Sequence, residues 1–244
     1  MQAASVLTFL HRRLAVIFSL MQHEELEQQL HREGFAIIPS CLDEDTVDDL
    51  RAEFSESRES QRNALDNPSI RQLAVSAPVR EIMESALGQN CFAVRSIFFN
   101  KTKEANWKVV WHQDLTISVR RRFDADGFGP WTIKDGIVHV QPPAGIMSQM
   151  LAIRIHLDQS GPENGPLRVI PGTHKHGRLS ASQLTEMKNR QIITCCVPKG
   201  GALLMRPLLL HASSSCAAPK ARRVVHIEFA AFELPYGLEW HERV

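Results

Sequence analysis

Hydrophobic spacing divides the chain into a helical beginning and a strand-rich remainder. Residues 24–33 are charged, with Leu26 and Leu30 four apart, which predicts a helix stopped by Gly34. Phe35 to Pro39 reads as a short strand. Asp43 is placed to cap a second helix, whose apolar positions Val47, Leu50 and Phe54 share one face. Pro78 opens a third, with Val79, Ile82, Met83, Ala86 and Leu87 inward and Gly88 at its end. From Cys91 onward the pattern shortens. Phe92 to Phe99 is β-branched and aromatic, and Leu151 to Leu157 alternates with period two. Ile192 to Val197, Ala202 to Met205 and Val224 to Phe229 are further strand candidates, separated by Gly and Pro turns. Many short strands with such turns predict a sandwich or barrel. The stretch from Thr116 to Pro143 is long and mixed and reads as a loop or lid.

Composition narrows the possibilities. With 244 residues and 43% hydrophobic content, the chain suits one globular domain. The expected division is a helical part over 21–90 and a sheet core over 91–232. A formal net charge of +1 gives no broad basic field, so no nucleic-acid partner is expected. The apolar run from Leu14 to Met21 is far short of a bilayer span, so no membrane partner is expected either. Residues 1–20 read as an extension, either disordered or left by an upstream start, with Met21 as the natural beginning. The five cysteines are irregularly spaced and form no CxxC pair, which fits a reducing, cytoplasmic setting. Oligomeric state is silent in the sequence.

The chemistry concentrates in Trp111-His112-Gln113-Asp114. In an extended segment, residues i and i+2 point the same way, so His112 and Asp114 present an imidazole and a carboxylate to one point. Two His and one carboxylate on one face, with other positions open, is the ligand set of non-haem iron(II) oxygen chemistry. His211, at the end of the strand-like Pro207 to His211, is the candidate second histidine. Shortly after it comes Arg222, whose fork of donors matches a carboxylate bidentately and keeps its charge. Arg223 points to the opposite face of a regular strand. A three-residue pattern alone arises by chance; the conjunction with the later His and Arg gives it weight.

These residues, with Gly165-Pro-Leu-Arg-Val-Ile-Pro-Gly-Thr-His174-Lys-His-Gly177 and His211-Ala-Ser213, resemble the phytanoyl-CoA dioxygenase (PhyH-type) group of iron/2-oxoglutarate oxygenases. The likeness is collinear from about Gly34 to Phe232. It implies a mainly β fold with flanking helices, a double-stranded β-helix (jelly roll, cupin-like). It implies Fe(II) at His112, Asp114 and His211, and 2-oxoglutarate as co-substrate with its distal carboxylate on Arg222. It also implies O2 as oxidant and a small molecule as substrate. Gln113 and Ser213 sit where family members contact the co-substrate, and Trp131 is a further candidate. Related halogenases replace the carboxylate with a small residue, so with Asp114 present the resemblance points to hydroxylation or another oxidation and away from halogenation. An inactive cupin-like binding protein and a metal hydrolase using the same three ligands stay open as alternatives; Arg222 has no evident purpose in the hydrolase.

Other residues mimic a site. His174 and His176 share the i, i+2 spacing but lie in a Pro-Gly turn without a matching carboxylate, and read as loop residues. His139 and His156 read as packed; His226, on the Arg222 face of its strand, reads as a satisfied core residue, with lining the cavity as the competing use. Arg120 to Arg122 read as a solvated cationic loop, with an anionic substrate group as the competing use. Trp107 and Trp111 read as core, and Cys195-Cys196 as buried strand residues.

Overall fold

The computed structural model describes residues 24–55, 60–102, 108–215 and 222–244. The expectations for residues 1–20, for Met21, for Trp107 and for Cys216 fall outside them. Helical elements are α1 (24–33), α2 (Glu44–Glu53), α3 (Pro68–Ala74), α4 (Ala77–Leu87), α5 (Ala144–Met147) and α6 (Ala181–Met187). The strands are β1 (Phe35–Ile38), β2 (Gln61–Arg62), β3 (Phe92–Lys101), β4 (Val109–His112), β5 (Ile117–Val119), β6 (Trp131–Lys134) and β7 (Ile137–Val140). They continue with β8 (Leu151–His156), β9 (Leu167–Val169), β10 (Ile193–Cys195), β11 (Ala202–Met205), β12 (His211–Ser213) and β13 (Arg222–Ala230). No described helix is long and apolar enough to cross a membrane.

Two antiparallel sheets carry the fold. The larger has the order β1-β11-β8-β13-β3-β2, and the smaller β10-β9-β12-β4. Helices cover one face of the larger sheet. Leu30, Val47, Leu50, Phe54, Ile70 and Met83 bury against Phe98, Ile153, Ile155, Val225, Ile227 and Phe229. The helix starts follow from local chemistry: Asp43 accepts the Thr46 N–H (2.7 Å), and Asn67 accepts those of Ser69 and Ile70 (2.8 and 3.1 Å). Each such cap is worth about 1 kcal/mol. The other face looks toward the smaller sheet. There Ala152, Leu203 and Met205 meet Leu167, Val169 and Leu209. Both faces of β8 and β13 are covered, and every residue of the two strands is buried. Their period-two alternation therefore separates the helix layer from the inter-sheet space rather than core from water.

The structure corrects three sequence expectations. The supposed lid between Thr116 and Pro143 holds a three-stranded sheet, β5-β7-β6. Asp135 and Gly136 form its two-residue turn, both with positive φ (50° and 80°), the type I′ geometry that Asp-Gly favours. The apolar run before His211 is a turn, so His211 opens β12 rather than closing a strand. Cys195 is buried as expected, but Cys196 is exposed past the end of β10.

Asp158 ties the helical layer to β13. It accepts Nε and Nη2 of Arg223 at 2.8 Å each, the Arg223 N–H at 3.0 Å, and Arg51 Nε at 3.1 Å. Burial pushes the Asp158 carboxyl up, but the Arg223 hydrogen bonds and charge outweigh it and hold the group below its ordinary value. A carboxyl depressed on folding stabilises the fold above the unfolded value of about 4 and loses that contribution as pH falls through the folded one. Asp158→Asn leaves a buried guanidinium without its counter-charge and is expected to cost about 3 kcal/mol in urea unfolding at pH 7. The gap to wild type should narrow as pH drops below about 4; a gap independent of pH would contradict this account.

Candidate metal centre

His112 closes β4 and His211 opens β12, and the antiparallel register sets them directly opposite each other. The pairing shifts between His211 and Ser213, where two strand positions on β12 span three on β4. Asp114 follows two residues past His112 with its N–H held on the Pro207 carbonyl (2.9 Å), and its carboxylate faces both rings. The Asp114 oxygens stand 3.8 Å from His112 Nε2 and 3.7 Å from His211 Nε2. One ligand atom from each of the three lies within 4.8 Å of the others. The imidazole centroids are 4.1 Å apart.

The tautomers are fixed from behind. His112 Nδ1 lies 2.9 Å from the Val110 carbonyl, and His211 Nδ1 lies 2.8 Å from the Leu209 carbonyl. A carbonyl only accepts, so each Nδ1 carries its proton and each Nε2 lone pair is left facing Asp114. Burial pushes the His211 imidazole down to about 4, against the pull of Asp114. Burial also opposes the Asp114 charge, but His211, His226, His112 and Arg95 around it hold its carboxyl at about 2. At neutral pH His211 is therefore a neutral imidazole and Asp114 a carboxylate. The residues fit a divalent first-row metal bound on one face. The His112 side chain is 36% exposed and that of His211 only 4%, so the open side of the centre lies toward His112.

The metal-ligand candidates border a cavity between the sheets. Arg222 and Ser213 line it. Arg222 donates to the Gly165 carbonyl (2.6 Å), which anchors it to the Gly165–Gly177 stretch. Arg223 points out to Asp158 instead. Two sequence candidates fall elsewhere. Gln113 alternates away from His112 and Asp114, and its amide binds backbone: Nε2 to Gly177 O (2.8 Å) and Leu208 O (2.6 Å), Oε1 to Leu179 N–H (2.8 Å). Trp131 sits in the three-stranded sheet beside Arg122 and packs on a separate apolar cluster. Neither side chain lines the cavity.

Sequence reasoning passed over Lys101, Arg95, Arg154 and Glu228 in the cavity region. Lys101 is buried, with Nζ 2.7 Å from Ser214 O and 3.4 Å from Ser213 Oγ. Arg95 and Arg154 line the same space, as does His226. Glu228 stands behind them, 3.5 Å from Arg95. Their signal was present in the alternation of β3, β8 and β13, where Arg95 and Lys101, Arg154, and Arg222 and His226 fall on one face. Arg120 to Arg122 are exposed, and Arg120 pairs with Glu239 (2.8 Å). His174 packs on α1 through the His31 carbonyl, 3.1 Å away.

The phytanoyl-CoA dioxygenase (PhyH) family model matches residues 55–224, a span that includes all three metal-ligand candidates and Arg222. The chain belongs to the phytanoyl-CoA dioxygenase family. An ectoine dioxygenase of Stutzerimonas stutzeri (strain A1501) is 23% identical over 242 residues, covering 81% of this chain and 73% of its own. The epimerase SnoN from nogalamycin biosynthesis, solved with Fe3+, α-ketoglutarate and nogalamycin RO, has a TM-score of 0.65 at 15% identity over 86% of this chain and 84% of its own. EctD from S. alaskensis, solved with 2-oxoglutarate and 5-hydroxyectoine, has a TM-score of 0.63 at 17% identity over 84% and 74%. At these identities the structural likeness establishes the shared fold, a mainly antiparallel jelly roll with flanking helices.

Gln113 acts as a clamp on three backbone segments behind the metal ligands. Gln113→Ala strips the two carbonyls and the N–H of their partner and is expected to lower unfolding stability by about 3 kcal/mol. Urea melts of the metal-free protein measure this, and a cost below about 1 kcal/mol would contradict the clamp role.

Proposed function

We propose that the chain is an Fe(II)- and 2-oxoglutarate-dependent dioxygenase that hydroxylates a small molecule. One observation carries this reading. Two Nε2 lone pairs and a carboxylate converge on one point, in a cavity that also holds the buried guanidinium of Arg222. Family membership supports it, as do SnoN and EctD, whose structures hold 2-oxoglutarate. A binding protein would need no such convergence, and a hydrolase would leave Arg222 without a task.

His112, Asp114 and His211 would hold iron, and Arg222 would hold the distal carboxylate of 2-oxoglutarate. Lys101, opposite Arg222 in the β13–β3 register, adds a second cation for the same end, and Ser213, whose Oγ lies 3.4 Å from Lys101 Nζ, adds a hydroxyl. Bound iron with 2-oxoglutarate and O2 supplies the oxidant, with succinate and CO2 as co-products. Asp114 occupies a coordination position as a carboxylate, which directs the chemistry to oxygen insertion and away from halide transfer. The chain's own work is positional. Val110 and Leu209 carbonyls keep the imidazole Nε2 atoms unprotonated, and the apolar walls Ile97, Phe99, Val109 and Leu167 exclude water. A cytoplasmic location, without nucleic-acid or membrane partners, fits the near-neutral charge and the free cysteines at 41, 91, 195 and 196.

The test uses iron(II) and 2-oxoglutarate without oxygen, then oxygen. A visible charge-transfer band followed by succinate is expected; neither would sink the reading and favour a binding protein. His112→Ala and Asp114→Ala are each expected to abolish substrate-coupled succinate release. Arg222→Ala should raise the 2-oxoglutarate requirement about tenfold or more, the loss of a charge-assisted pair. An unchanged requirement in that variant would move the role to another cation of the cavity.

A further inference from the structure

A second polar row crosses the cavity beyond the residues assigned to metal and co-substrate. Arg154 Nη1 donates to His226 Nδ1 at 3.2 Å. On its other side, His226 Nε2 donates to Glu228 Oε1 at 3.3 Å. Glu228 in turn lies 3.5 Å from Arg95, which is thereby neutralised. Arg154 has no such counter-charge: no carboxylate among the described residues lies within ion-pair distance of it. Its guanidinium sits over the Phe99 ring, 4.9 Å from the centroid. The residue is 8% exposed, and its Nε is buried with no hydrogen-bond partner. A buried cation whose nearest polar partner is a neutral ring is costly unless an anion joins it.

The charge count of the cavity favours the same conclusion. Arg95, Lys101, Arg154 and Arg222 are its cationic lining, and Asp114 is the carboxylate among them. Glu228 accounts for Arg95, and Asp114 faces the metal site. The distal carboxylate of 2-oxoglutarate accounts for Arg222, with Lys101 opposite Arg222 in the β13–β3 register. Arg154 pairs instead with His226, four residues farther along β13, about 13 Å at a strand's rise. It is the cavity guanidinium that neither Glu228 nor the distal carboxylate reaches.

We propose that Arg154 anchors a carboxylate of the substrate, so that the enzyme acts on a small organic acid held by its anionic end. This rests on the iron and 2-oxoglutarate reading for the identity of the co-substrate. The planar guanidinium matches two carboxylate oxygens, and Phe99 beneath it fixes the plane. His226, itself held by Glu228, engages one Nη of the guanidinium, which lines the cavity.

Calorimetry of the metal-free protein, and of protein loaded anaerobically with Fe(II) and saturating 2-oxoglutarate, tests this. The probes are two- to eight-carbon monocarboxylates and their primary amides. With 2-oxoglutarate saturating, the best acid is expected to bind about tenfold or more tightly than its amide. Arg154→Gln should erase that preference and Arg154→Lys should keep part of it, both with 2-oxoglutarate affinity unchanged. Equal binding of acids and amides by the wild type, or binding of neither, would overturn the proposal. So would an Arg154→Gln protein that keeps the preference, or one that loses 2-oxoglutarate affinity instead. Failure of the oxygenase reading shows separately, as absence of the charge-transfer band while acid binding to the metal-free protein persists.

Discussion

Strand pairing between β4 and β12 sets His112 opposite His211, and the rest of the site depends on that register. A slip of β4 by one residue would turn the His112 imidazole out of the inter-sheet space, because successive side chains on a strand face opposite ways. The register is held from several sides. β9 pairs with the far edge of β12, placing Val169 against His211 and Leu167 against Ser213. The Gln113 amide ties three backbone segments behind the motif. The Val110 and Leu209 carbonyls then fix which nitrogen of each ring is free. Placement of strands thus becomes placement of lone pairs.

The larger sheet contributes the opposite wall and a different chemistry. Its helix-facing residues are apolar and seal the core, while its inner face gathers Arg95, Lys101, Arg154 and Arg222. Burying four cations in one cavity is tolerable only where anions arrive. Glu228 is one, built in. The remaining imbalance is the physical reason to expect anionic ligands on this wall. The smaller sheet binds metal with lone pairs and one carboxylate; the larger binds anions with guanidinium and ammonium groups.

Much of this was legible in the sequence because it follows from local periodicity. Asp43 before an i, i+3 apolar pattern gave the capped α2, and the two-residue period put Arg222 inward and Arg223 outward. His112 and Asp114 converge as extended spacing requires, although the pairing of β4 with β12 that brings His211 opposite left no local mark. The failures have identifiable causes. Asp135-Gly136 is a strong hairpin signal, lost within a stretch judged by its mixed composition. Leu208 to Leu210 looked strand-like because the chain is buried there, but burial comes from tertiary packing and the backbone turns. Gln113 was assigned to the co-substrate by family position, yet alternation alone puts it on the far side of its neighbours. Arg154 lay inside an apolar strand, and only the long-range pairing of β8 with β13 brings it beside His226.

The most direct measurement is a crystal structure of the anaerobic Fe(II) and 2-oxoglutarate complex. The account requires one metal bound by His112 Nε2, His211 Nε2 and the Asp114 carboxylate, with the distal co-substrate carboxylate at Arg222. A metal held elsewhere, or that carboxylate seated on Arg154, would contradict it.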